Sequence, residues 1–240
     1  MLPLRDHLPT RTVPYVNYAL IAANVVVFLM QLSGTMGPNA GEPWMLHPAL
    51  IWNDPVGGVE TIFTSMFMHG GLAHIGGNML FLWIFGDNVE DAMGHFRYVV
   101  FYLVGGLCAA AAQIAAAPTS MVPMLGASGA ISAVLAAYVF LYPRSPITVL
   151  NPIPLLWLFW GLFLVFPAWL VIGLFFLVNL WDALTISTQG GVAFMAHVGG
   201  FIGGAVLYRL FLVGRRDRLA QYDRHDQWVR PRQPRRADYN

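Results

Sequence analysis

Lysine is absent from this chain, cysteine occurs once, and only 10% of the 240 residues are charged. Each shortage removes a class of protein. So few charges, beside 57% hydrophobic residues and a mean hydropathy of +0.59, leave too little polar surface to cover a soluble domain of this length. The chain is expected to lie mostly in lipid. The single Cys108 stands inside an apolar run, which excludes an intramolecular disulfide and a zinc site built from thiolates and leaves a packing role. No phosphate-cradling glycine loop follows a strand pattern and no cluster of metal ligands is present, so no cofactor, no metal, no ATP dependence and no nucleic acid partner is expected.

What the chain does have is apolar runs of membrane length, which requires roughly 17 to 25 residues. They fall near Tyr15 to Leu32, Gly71 to Gly86, Phe96 to Ala117, Ala127 to Tyr142 and Gly191 to Val213, with a long apolar stretch, Ile147 to Leu184, before the last. The first sixteen residues are polar and proline-containing, and no small-x-small cleavage site follows the first run, which is therefore expected to remain as an anchor. With lysine missing, orientation rests on the thirteen arginines, which occur before the first run, at Arg97, at Arg144 and from Arg209 onward. Cationic loops stay on the cytoplasmic side. Placing all four arginine-bearing segments there requires Ile147 to Leu184 to contribute one crossing, with Pro167-Ala168-Trp169 opening that helix and the apolar residues before it at the inner interface. The expected fold is an all-α membrane protein of six transmembrane helices with both termini cytoplasmic. Residues 1–14 form a cytoplasmic segment, 15–213 the membrane domain, and 214–240 a polar, arginine-rich tail attracted to anionic headgroups.

In this topology the second, fourth and sixth helices run inward from the outer side, and each carries polar residues in its first turns. His74 and Asn78 lie on the second, Ser128 on the fourth and His197 on the sixth. Three segments without local similarity thus bring polar groups to one depth. The fourth run spans only about 24 Å at 1.5 Å per residue, less than a hydrocarbon core of about 30 Å, so Ser128 is expected beneath the surface in a wet recess. Gly126 and Gly129 permit a tight turn and close helix approach there, while the helix N-terminus offers N–H groups to a developing oxyanion.

A serine among glycines also suits a small-residue packing surface, continued by Ala133, Ala136 and Ala137. His197, beside Gly199-Gly200 and Gly203-Gly204, suits a general base for Ser128, an interhelical hydrogen-bond partner, a proton relay or a ligand. His74 and Asn78, four residues apart, share a helical face, and their N–H donors fit an oxyanion better than a metal, though a two-histidine metal site with His197 is conceivable. His69, at the entrance to that helix, reads as a structural residue bonded to loop backbone.

Taken together, His69, His74-Ile75-Gly76-Gly77-Asn78, Gly126-Ala127-Ser128-Gly129 and Ala196-His197-Val198-Gly199-Gly200 resemble the rhomboid family of intramembrane serine proteases, over essentially all six spans. The resemblance implies Ser128 as nucleophile and His197 as base in a dyad without a carboxylate. It further implies an oxyanion hole made of His74, Asn78 and the Ser128 backbone N–H, with His69, Gly126, Gly129 and Gly200 in support. No Asp or Glu falls at a depth to orient His197, so helix packing is expected to do so. The implied substrates are single-span membrane proteins cut near the outer end of an unstable span, in contact with membrane lipid. The long first outer loop, with Trp44 and Trp52, looks like the family's partly embedded loop.

Two departures stand out. The tryptophan-arginine pair often found in that loop is replaced by Val59-Glu60-Thr61-Ile62-Phe63-Thr64, and the residue four after the serine, often aromatic, is Ser132. Neither touches a proton-transfer or oxyanion role. The rival readings are a catalytically silent rhomboid-like protein that binds membrane spans, and a small-molecule transporter, which would call for paired broken helices and an intramembrane charge. Arginine without lysine and short tails suggest a bacterial plasma membrane with the site toward the outer side; the residues name no oligomeric state.

Overall fold

A computed structural model describes residues 2–37, 41–151, 153–154, 157–185 and 193–212. The tail expected over 214–240 and the segment 186–192 before the last apolar run's helix lie outside the described residues. The elements run in the order β1 (Leu2–Asp6), α1 (Tyr15–Leu32), α2 (Pro55–Thr64), α3 (Leu72–Met93), α4 (His95–Ala116), α5 (Ser128–Leu141), β2 (Pro146–Leu150), a single turn α6 (Trp157–Trp160), β3 (Phe163–Pro167), α7 (Ala168–Thr185) and α8 (Phe194–Phe211). Short 3-10 turns at Glu42–Trp44, Pro48–Leu50 and Ser65–Phe67 punctuate the first long loop.

Among the described residues four helices, α1, α4, α7 and α8, are long and apolar enough to cross a membrane. Among the rest, α3 has 22 residues but carries Asp87, Glu90 and Asp91 toward its end, and α5 has only 14. Gly94 separates α3 from α4 in a single residue, and its φ of 84° is the left-handed conformation that makes so sharp a reversal available.

The fold is mostly helical rather than wholly so. The N-terminal strand β1 pairs antiparallel with β2, Leu2 opposite Leu150, and β2 pairs antiparallel with β3, Pro146 opposite Pro167. The stretch Ile147 to Leu184 thus yields one long helix, as the arginine pattern requires, but its first part is a hairpin. Alternation explains why: Ile147 and Val149 are fully buried while Thr148 and Leu150 are not, the period of a half-buried strand. Pro167 closes β3 and the helix begins at Ala168, so the proline precedes the first helical turn instead of standing in it.

Buried polar side chains fasten this end of the bundle. The Asp6 carboxylate accepts hydrogen bonds from the Tyr138 hydroxyl and the Asn88 amide, both 2.8 Å, tying β1 to the C-terminal parts of α3 and α5. Glu90, fully buried in α3, accepts from the backbone N–H of Val16 at 3.1 Å and of Asn17 at 2.7 Å, and lies 2.5 Å from His95 Nδ1. A carboxylate therefore caps the N-terminus of α1, where unpaired N–H groups and the helix dipole favour negative charge.

α8 is wedged between α4 and α5 by its glycines. A methyl group added at Gly200 would meet Gly129 O at 2.1 Å and one at Gly204 would meet Ala133 Cα at 2.5 Å, so α8 touches α5 backbone to backbone. On the adjoining face Gly199 lies against Ala112 and Gly203 against Cys108, which confirms the packing role of the cysteine. Large side chains at any of these four positions would drive the helices apart.

Candidate active site

Ser128 is the first residue of α5 and is half-buried. The turn that delivers it contains Gly126 at φ 118°, whose N–H donates to Ser65 O at 2.9 Å. Glycine is required there twice over, because a Cβ would also stand 2.7 Å from His74 Nε2 and 3.6 Å from Asn78 Nδ2. The first turn of α5 presents backbone N–H groups that have no acceptor within the helix.

His74 and Asn78 lie one turn apart on α3 and aim their nitrogens at Gly126. Their donor states are set by neighbours. Gly70 N–H donates to His74 Nδ1 at 3.4 Å, which leaves the proton on Nε2, the atom facing the serine turn. His69 Nδ1 donates to Phe67 O at 3.2 Å, so its Nε2 accepts from the Asn78 amide at 2.9 Å. His69 is bonded to loop backbone as expected, and it also fixes the Asn78 side chain. α1 contributes as well: the Gln31 amide exchanges two hydrogen bonds with the His69 backbone, at 3.0 and 3.2 Å.

The first long loop is fixed without a tryptophan-arginine pair by backbone bonding to the segment before Ser128. Leu46 and Met124 exchange hydrogen bonds of 3.1 and 2.7 Å, and Ala49 N–H donates to Ser120 O at 3.0 Å. Ser132 is buried on α5 and its hydroxyl donates to the Ser128 carbonyl at 2.8 Å. Aromatic contact with His197 comes instead from Phe175 of α7 and Phe194 of α8, with ring centroids 6.5 and 6.4 Å away.

His197, in the first turn of α8, reaches Ser128 directly: Nε2 lies 2.7 Å from Oγ. The backbone contact of Gly200 with Gly129 accounts for this, since it holds the N-terminal turns of α5 and α8 side by side. The other ring nitrogen, Nδ1, lies 2.5 Å from Oδ1 of Asn179 on α7. This contact stands beside the helix packing expected to orient the histidine, and no sequence motif singles out Asn179. Its signal in the sequence is an amide within a largely apolar helix.

All eight residues singled out from the sequence, Ser128, His197, His74, Asn78, His69, Gly126, Gly129 and Gly200, thus gather around one turn at the N-terminal ends of α3, α5 and α8. The family description "Rhomboid domain" matches residues 56–214, a span that contains every one of them. The chain belongs to the rhomboid family.

Among its relatives are the mitochondrial Rhomboid protein 1 of Saccharomyces cerevisiae, 30% identical over 206 residues, and the mitochondrial RHOMBOID-like protein 12 of Arabidopsis thaliana, 30% identical over 216. These alignments take in 81% and 82% of this chain but only 52% and 58% of the relatives' own lengths. Rhomboid protease GlpG of Salmonella choleraesuis is 27% identical over 205 residues, covering 85% of this chain and 66% of that protein. Rhomboid relatives thus carry both mitochondrial and protease names, and the expectation of a bacterial plasma membrane draws no support from the mitochondrial ones.

Proposed function

We propose that this rhomboid protein is an intramembrane serine endopeptidase that cleaves membrane-spanning segments of other proteins. The observation that carries the reading is the 2.7 Å contact between His197 Nε2 and Ser128 Oγ across two packed helices. In the proposed reaction Nε2 takes the Oγ proton as Oγ attacks the scissile carbonyl carbon. The resulting oxyanion receives hydrogen bonds from His74 Nε2–H, the Asn78 amide and the Ser128 backbone N–H. His197 then passes the proton to the departing amine, leaving an acyl group on Oγ. Water, deprotonated by His197, attacks that ester; the acyl–Oγ bond breaks, the proton on His197 passes to Oγ, and the fragment with its new carboxyl terminus leaves.

The membrane arrangement belongs to the same proposal. α1, α3, α4, α5, α7 and α8 form six spans over residues 15–213, with 1–14 and 214–240 on the cytoplasmic side and the serine toward the outer side. The absence of arginine between Ser33 and Gly70 and between Pro118 and Gly126 supports that orientation. Single-span proteins are the proposed substrates, because a helix hides its carbonyls in i to i−4 bonds and must unwind before attack.

The test is cleavage of a single-span substrate by purified protein in detergent or liposomes, wild type beside Ser128→Ala and His197→Ala. Cleavage by the wild type alone is the expected result. Equal cleavage by Ser128→Ala removes the nucleophile from the proposal, and no cleavage by any variant across several substrates favours a silent span-binding protein.

A further inference from the structure

The proposed reaction uses His197 through Nε2 and leaves Nδ1 without a role. We infer that Asn179 is the positioning residue of the base: its side-chain oxygen accepts the His197 Nδ1–H and so fixes the tautomer and tilt that turn Nε2 toward Ser128. The inference rests on the hydrolase reading of that pair.

The direction of each hydrogen bond follows from chemistry. Asn179 Nδ2 lies 2.8 Å from the Phe175 carbonyl oxygen, which can only accept, so the amide nitrogen faces Phe175 and the amide oxygen faces His197. An amide oxygen can only accept, so the proton between Asn179 and His197 belongs to Nδ1. Neutral imidazole with its proton on Nδ1 has a lone pair on Nε2, where the Ser128 hydroxyl donates. The chain Ser128, His197, Asn179, Phe175 C=O has a donor and an acceptor at every link.

Placement supports the assignment. The buried residues of α7 are Ala168, Val171, Ile172 and Asn179, and Asn179 is the only one of them in the C-terminal half of the helix. It is also the only polar one. An amide on the buried stripe of an apolar helix is expensive without a partner, and its acceptor is directed at the base. Phe175 and Phe194 flank the imidazole but supply no acceptor.

The choice of an amide suits the surroundings. A third group orients the base in many nucleophile-base pairs, and an asparagine does so in some cysteine enzymes. Here a neutral amide gives the same geometric constraint without a carboxylate to desolvate. The arrangement also ties the base to α7, the least buried of the four long apolar helices, so that displacing α7 from α8 removes the acceptor.

The experiment compares kcat and KM for cleavage of a single-span substrate by the full chain and by its Asn179→Leu and Asn179→Asp variants. Leucine keeps the volume and removes the acceptor; aspartate keeps an oxygen in place. The expected result is a fall in kcat on the order of 10²-fold for Asn179→Leu with KM little changed, and recovery of most of it in Asn179→Asp. The imidazole Nδ1–H resonance of His197 in 15N-histidine-labelled protein should likewise shift in Asn179→Leu and return in Asn179→Asp. Wild-type kcat in Asn179→Leu, or equal losses in both variants, overturns the inference. Labelling of wild-type Ser128 by a fluorophosphonate keeps the two readings apart. If wild type is labelled and Asn179→Leu matches it in kcat, only the role of Asn179 fails; if wild type neither cleaves nor is labelled, the hydrolase reading fails and takes the inference with it.

Discussion

The Asn78 amide nitrogen stands 2.9 Å from Nε2 of His69, nine residues earlier in the chain, and that bond decides which way the amide points. Because His69 is itself held by Phe67 O and by Gln31 of α1, the proposed oxyanion donor is supported through two layers. Asn78→Ala is expected to lower kcat by about 10²–10³ at most, the range for one oxyanion donor. His69→Ala should act in the same direction by a smaller factor and add little in an Asn78→Ala background, since both changes remove one interaction. A double-mutant cycle on kcat checks this.

Contact between Gly200 and the Gly129 carbonyl makes the α5 to α8 spacing a condition of the Ser128–His197 hydrogen bond. Gly200→Leu is predicted to push α8 outward, separate Ser128 from His197 and abolish cleavage, and to destabilise the bundle by about 1–3 kcal/mol or more through overpacking. Thermal unfolding in detergent beside the cleavage assay reads both effects. A fully active, equally stable variant would refute the packing account.

Glu90 offers a test remote from the site. Replacing it by alanine empties a fully buried position and leaves the buried Asn17 N–H and the part-buried Val16 N–H without their acceptor, with an expected loss of about 1–3 kcal/mol. Denaturation in a mild detergent measures it. Ser128 labelling in the folded fraction should be unchanged.

Asp6 gives the strand β1 a pH dependence. Its pKa is raised from 3.8 to about 7, chiefly by burial and also by the nearby Asp87, against the opposing Tyr138 and Leu8 hydrogen bonds and Arg5. Between those two values the folded state holds more protons than the unfolded one, so stability falls as pH rises through the window from about 4 to about 7. The contribution is full below the lower value and lost above the higher. Hydrogen exchange at β1 amides, measured across this range, should show weakening protection in wild type and a flatter profile in Asp6→Asn.

Much of this architecture was legible because lipid enforces simple rules. The first helix falls at Tyr15–Leu32 where hydropathy alone puts it, and the arginine positions reduce Ile147 to Leu184 to one long helix. The glycine and histidine elements pointed to one site, and their residues do meet. The strands were missed because β1 pairs with a segment more than 140 residues away, a contact that no local pattern in either strand announces. The helix expected to open at Pro167-Ala168-Trp169 does begin there, at Ala168, and only the pairing of Pro167 with Pro146 makes the proline the end of β3 and not the first helical residue.

Sequence by itself determined that the chain is a membrane protein and singled out eight residues that meet around one turn, because composition, span length and residue type are local properties. Tertiary structure alone decided the partners. That His69 holds Asn78, that Asn179 faces His197 and that Asp6 anchors β1 depend on distances between segments far apart in the chain. Hydrogen bonds act only within a few ångströms and in set directions, and the packing of glycine against backbone is what brings the groups of the site within that reach.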